Sequence, residues 1–210
     1  MSVRTGKDRT APLTFSDQEL FDLAAAWVAL SLAFAILMTP ISTTYVDVGR
    51  LLTMAALSFV TVGVAFLLHE LAHKVVAVRY GQVAEFRADY GMLFVALMSA
   101  LVGFLFAAPG AVYHSGRVSE RENAMIALAG PLTNHGLAAL FLPLSLLPGI
   151  FGVVGQMGVW INLFLAAFNM LPFGPLDGKS VWNWNKVVFA VVFVPTVAVA
   201  GYVVLFVGPF

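Results

Sequence analysis

Apolar residues run along this chain in long, predominantly apolar blocks, rather than at the two- or four-residue spacing of half-buried strands and surface helices. Six blocks can be drawn, at about 23–39, 51–80, 92–108, 123–147, 150–171 and 185–208. Each approaches the ~20 residues that a helix needs to cross a hydrocarbon core. The connections are short and carry helix breakers, at Pro40, Pro109-Gly110, Pro148-Gly149 and from Pro172 to Pro175. The pattern predicts an all-α polytopic membrane protein, with a polar tail over 1–22 followed by a single membrane domain over 23–210.

Composition strengthens that reading. Apolar residues make up 60% of the chain, charged residues 10%, and the mean hydropathy is +0.92, more apolar surface than a soluble chain of 210 residues can bury. The first 22 residues lack the short apolar core and small-residue cleavage site of a signal peptide, so they are expected to stay with the mature chain. The net charge of +0 offers no attraction for nucleic acid, and the expected partners are the lipid bilayer and membrane-spanning protein substrates; nothing indicates an oligomeric state. The chain has 0 cysteines, so disulfides and thiolate sites are excluded, and any metal must be held by His, Asp, Glu or Asn.

The second block ends in His69-Glu70-Leu71-Ala72-His73-Lys74. Four residues apart on a helix, the two imidazoles lie on one face and can reach one zinc ion, while Glu70 stands beside them as a base for an attacking water. Ionisable groups behind VTVGVAFLL are costly in a membrane unless coordinated, paired or wetted by a cavity; a structural polar cluster or a transport pathway is the competing explanation. A catalytic zinc site takes three protein ligands, so a third must come from elsewhere. Asp177, behind the prolines of Asn169-Met-Leu-Pro-Phe-Gly-Pro-Leu-Asp-Gly, is the best placed carboxylate, as a ligand or as the cap of a surface loop.

Three blocks together resemble the site-2 proteases, zinc-dependent proteases of membranes: His69-Glu70-Leu71-Ala72-His73, then Ala129-Gly130-Pro131-Leu132-Thr133-Asn134, then Asn169 through Gly178 with its N-x-x-P-x-x-P-x-D-G spacing. Their order and separation also agree, over roughly 51–183, which becomes the expected catalytic core. The resemblance implies zinc ligation by His69, His73 and Asp177, general base and acid duty for Glu70, and a place for Asn169 near the substrate carbonyl. The implied activity is zinc-dependent hydrolysis of peptide bonds in or near transmembrane segments. The alternative is a metal or proton transporter using the same cluster.

If the three ligands share one ion, their helix ends share one depth. Segment 81–122 must then start and finish on one face, and the block 92–108 must re-enter or be followed by an extended return through AAPGAVYHSG. Such a strand near the zinc could pair with an unwound substrate by edge addition. On this path Arg4, Lys7, Arg9, Lys74, Arg79, Arg87, Arg117, Arg121, Lys179 and Lys186 gather on the metal side, against Arg50 opposite, which predicts a cytoplasmic active site and N-terminus. Among the remaining polar residues, His114 falls in the extended return. Asn134 is expected to bond between helices, His135 needs a partner, and Trp182 and Trp184 read as interfacial anchors.

Overall fold

The computed structural model describes residues 12–39, 47–106, 108–203 and 205. Arg4, Lys7 and Arg9 of the charge asymmetry, Pro40 and Ala107 lie outside them. The elements in order are α1 (Asp17–Met38), α2 (Val48–Val60), α3 (Val62–Arg79), β1 (Val83–Ala88), α4 (Tyr90–Leu101), β2 (Gly110–Ser115), α5 (Glu120–Ser145), α6 (Gly149–Asn169), α7 (Asp177–Trp184) and α8 (Lys186–Tyr202).

Local chemistry sets most of the boundaries. Ser16, Asp47 and Asp89 cap α1, α2 and α4 by accepting from an N–H of the first turn, and Ser119 with Glu122 forms a capping box at the start of α5. The second apolar block is one 32-residue path, Val48–Arg79, interrupted at Thr61. There the Thr61 hydroxyl bonds the Leu57 carbonyl at 2.7 Å, competing with the backbone ladder.

Four helical paths are long and apolar enough to cross a membrane: α1, α2 with α3, α5 and α6. The six blocks therefore do not translate into six such helices among the described residues. The described length of α8 is 17 residues, and α4 stops after 12, about 18 Å of axis. Its end is set by Gly103, at φ +79°, where Phe104 N–H reaches back to the Ser99 carbonyl at 3.1 Å. The chain then returns to where it departed, with Asp89 N–H bonded to the Pro109 carbonyl at 3.0 Å.

The fold is mostly helical, and the all-α expectation needs one correction. The segment AAPGAVYHSG carries a strand, β2, which pairs antiparallel with β1, from Val83 opposite Ser115 to Ala88 opposite Gly110. The far edge of β1 is occupied by α1. Residues 17–22, read from the sequence as the end of a polar tail, are the first turns of that helix, and Glu19 and Asp22 in them are buried. Glu19 Oε1 accepts from Phe86 N–H at 3.0 Å, and Asp22 Oδ2 accepts from Ala88 N–H at 3.2 Å. Its other carboxylate oxygen, Oδ1, takes the Tyr90 hydroxyl at 2.5 Å.

Helix α3 is central. Gly63 lets α1 approach it, because any Cβ there would overlap the Trp27 ring. A core containing Leu30, Phe34, Phe66, Phe86, Met157 and Ile161 joins α1, α3, β1 and α6, and a second around Leu128, Met170, Val181 and Phe189 joins α5, α7 and α8.

Candidate metal centre

His69 and His73 lie on the buried face of α3, ten and six residues before Arg79, so His69 sits about 15 Å along the axis from the end of the helix. Asp177 comes from the other end of the chain. After α6 stops at Asn169, seven residues turn the chain around, and Gly178 packs directly on the Met170 carbonyl, where no side chain would fit. This places the Asp177 carboxylate at 3.3 Å from His69 Nε2 and 3.4 Å from His73 Nε2. The two Nε2 atoms are 3.0 Å apart.

The hydrogen bonds around the imidazoles decide what those three atoms can do. His73 Nδ1 is 2.8 Å from the Ile126 carbonyl, which can only accept, so Nδ1 carries the proton. On His69 the same answer comes through a relay anchored on another carbonyl. Gly158 accepts from Asn162 Nδ2 at 2.8 Å, which turns Asn162 Oδ1 toward Asn134 Nδ2, also at 2.8 Å. Asn134 then presents Oδ1 to His69 Nδ1, at 2.6 Å, and that nitrogen must donate. Both histidines therefore aim an Nε2 lone pair at one point, which the buried Asp177 Oδ2 also faces, with no hydrogen-bond partner of its own among the described residues. Three mutually repelling acceptors within 4.8 Å of one another are a donor set for a cation, oriented by outer partners as metal-bound histidines are. Gly130 on α5 completes the space, since a Cβ there would stand 2.5 Å from His69 Nε2 and from His73 Nε2.

The cluster opens into a cavity of about 460 Å³. Glu70 lines it beside the histidines, as do Asn169, His114, Asn123 and Ser180; the rest of the wall is largely apolar, including Phe34, Phe66, Phe164 and Phe168. Asn169 is the last residue of α6, and its Nδ2 donates to the Leu165 carbonyl at 3.0 Å. The helix does not continue from Asn169 toward Asp177. Burial draws the His114 pKa below the ordinary imidazole value. His135 lies apart from the cavity, bonded to the Pro131 carbonyl at 2.7 Å and to Thr196 Oγ1 at 2.8 Å.

Three relatives carry the name "Putative zinc metalloprotease". MJ0611 of Methanocaldococcus jannaschii is 40% identical over 188 residues, covering 87% of this chain and 93% of its own length. The chain belongs to this zinc metalloprotease family. YwhC of Bacillus subtilis is 30% identical over 145 residues, 58% of this chain and 65% of the relative, and Rip3 of Mycobacterium tuberculosis is 35% identical over 133 residues, 58% of this chain but 30% of that longer protein. No family model and no solved structure matches the chain. Membership agrees with the site-2 protease resemblance carried by the motifs.

For a member of this family the donor set fits the metal in the relatives' name: two neutral imidazoles and one carboxylate, with a cavity on the open side. One supporting residue has no place in the motifs: Asn162, although an amide in the apolar run MGVWINLFL is its own signal, and here it is fully buried. Asn134, expected to bond between helices, does so, from α5 to His69 on α3 and to Asn162 on α6.

Proposed function

We propose that this protein is an intramembrane zinc metalloprotease that hydrolyses peptide bonds in or near transmembrane segments. The observation that carries the reading is the convergence of His69 Nε2, His73 Nε2 and Asp177 Oδ2, all within 4.8 Å, partway along an apolar helix path and open to an apolar cavity. Those three residues would hold a zinc ion, which when bound would supply the Lewis acidity that polarises a scissile carbonyl and acidifies water.

The chain's own residues do the rest. Glu70 removes a proton from the attacking water and returns it to the leaving amine, a role suited to a carboxylate that is 8% exposed but lines the cavity. Asn169, which lines the same cavity, turns its amide from the Leu165 carbonyl to the substrate backbone. A transmembrane helix must unwind before attack, and β2 offers the extended segment a partner. The outward N–H and C=O groups of β2 include those of Val112 and His114, two residues that line the cavity, and among the described residues these groups have no main-chain partner.

Within the bilayer the catalytic core spans about 51–183 of a single membrane domain. The segment α4 to β2 enters and leaves on the metal side, consistent with its 12-residue helix and the closing bond from Asp89 to Pro109. The active site and N-terminus face the cytoplasm, by the asymmetry of basic residues.

The deciding experiment is metal analysis of the purified protein with cleavage of a test transmembrane substrate, wild type against Glu70→Gln. The variant should keep one zinc ion and lose cleavage by about 100-fold or more. Activity that persists in Glu70→Gln, or transport in place of cleavage, would sink the reading.

A further inference from the structure

Glu19 and Lys74 are buried to 0% and 1% exposure, and neither takes part in the proposed hydrolysis. A buried ion pair is a poor way to gain stability, since apolar residues of similar size often serve as well. The geometry gives this pair a different use. The Glu19 carboxylate divides its two oxygens between two elements: Oε2 bonds Lys74 Nζ, and Oε1 accepts from Phe86 N–H at 3.0 Å. Lys74 directly follows the ligand His73 on α3, and its ammonium also bonds the Thr14 carbonyl at 2.5 Å. Phe86 lies opposite Val112 in the sheet. One rigid group therefore ties the metal-bearing turn of α3 to the strand pair, and one turn further along α1 Asp22 repeats the grip at Ala88 N–H.

The consequence lies on the far side of the sheet. Because Phe86 and Ala88 spend their N–H groups on α1, Glu85 and Arg87 exchange bonds with Tyr113 and Ala111, and the main-chain groups of Val112 and His114, two residues that line the cavity, point away from β1. We propose that Glu19 is a positioning residue that holds this free edge of β2 in register with the metal centre, so that an extended segment added to the edge presents its peptide bond to Glu70. The proposal rests on the protease reading above. A shift of the sheet along α3 would leave the ligands and Glu70 in place and spoil the alignment of the bound segment, so substrate binding suffers before the chemical step does.

The test removes the acceptor without stranding a charge. In Glu19→Met/Lys74→Met the pair becomes two apolar side chains of similar length, and Phe86 N–H loses its partner. The expected result is one bound zinc ion, kcat within about twofold of wild type, KM raised about tenfold, and faster amide hydrogen exchange over 83–88. Glu19→Gln/Lys74→Met returns an oxygen to Phe86 N–H and should bring KM and exchange back toward wild type. Asp22→Ala against Asp22→Asn repeats the comparison at Ala88 N–H without touching Lys74, which decides the matter if the double variant does not fold. Unchanged KM and exchange would overturn the proposal, and so would a loss of zinc and kcat alongside the rise in KM with no rescue by Gln or Asn. Exchange requires no turnover, so the absence of Glu70-dependent cleavage in the wild type would count against the protease reading alone.

Discussion

The carbonyl of Gly158 governs a proton two side chains away. It can only accept, so it sets the orientation of Asn162, then of Asn134, and finally the tautomer of His69. Replacing Asn134 by Leu removes the acceptor for His69 Nδ1–H, and zinc affinity should fall by about 10- to 100-fold in a competition titration. Asn162→Leu should act in the same direction and less strongly, because Asn134 keeps a second partner in the Ala65 carbonyl, at 3.4 Å. Equal affinities in wild type and both variants would refute the relay. His73 has no such weakness, since its anchor is the main-chain carbonyl of Ile126, which no side-chain substitution removes. At this scale His69, Glu70 and His73 were legible from their spacing on one helix. Asp177 was legible only as one of two open roles until the turn at 170–176 placed its carboxylate beside the histidines.

Helix α5 carries two glycines with opposite duties. Gly130 is the wall of the metal centre, whereas a Cβ at Gly136 would meet nothing within 4 Å. Gly130→Ala should therefore abolish stoichiometric zinc binding, because its methyl group would contact both ligand imidazoles. Gly136→Ala should bind zinc normally and be neutral or more stable by about 0.5–1 kcal/mol, the ordinary gain from removing a helical glycine. Zinc content and thermal unfolding of the two proteins separate these outcomes, and full zinc occupancy in Gly130→Ala would contradict the close packing of α5 on the imidazoles. Elements were readable where apolar blocks were long, as for α1, α3, α5 and α6. The strand β1 was not, because VAEFRA is too short and mixed for its alternation to stand out, and its edge is completed by α1, some 65 residues earlier in the chain.

Across the molecule, the C-terminal part of α3, the start of α5 and α7 gather at one end, since His73, Ile126 and Asp177 meet there. The link between α5 and α6 lies at the other end of a 26-residue helix. The chain has 0 cysteines, so single cysteines report on sidedness without background. A cysteine at Val83, which is 70% exposed at the metal end, should react with an impermeant maleimide only from the cytoplasmic face of sealed vesicles. One at Leu146, 81% exposed in the far link, should react only from the opposite face. Labelling of both from one side would overturn the proposed topology.

The sequence by itself determined the class of the molecule and the identity of its chemistry. A surplus of apolar residues in long blocks leaves a bilayer as the only adequate solvent, and two histidines four residues apart on a helix meet by local geometry alone. Only the tertiary structure decided how that chemistry is completed and aligned. The third donor, the two amides that orient His69, the glycine that leaves room for an ion and the carboxylates that grip β1 all come from segments distant in the chain. Such contacts depend on how helices pack and where turns reverse, which is set by the whole set of neighbours rather than by any local run of residues.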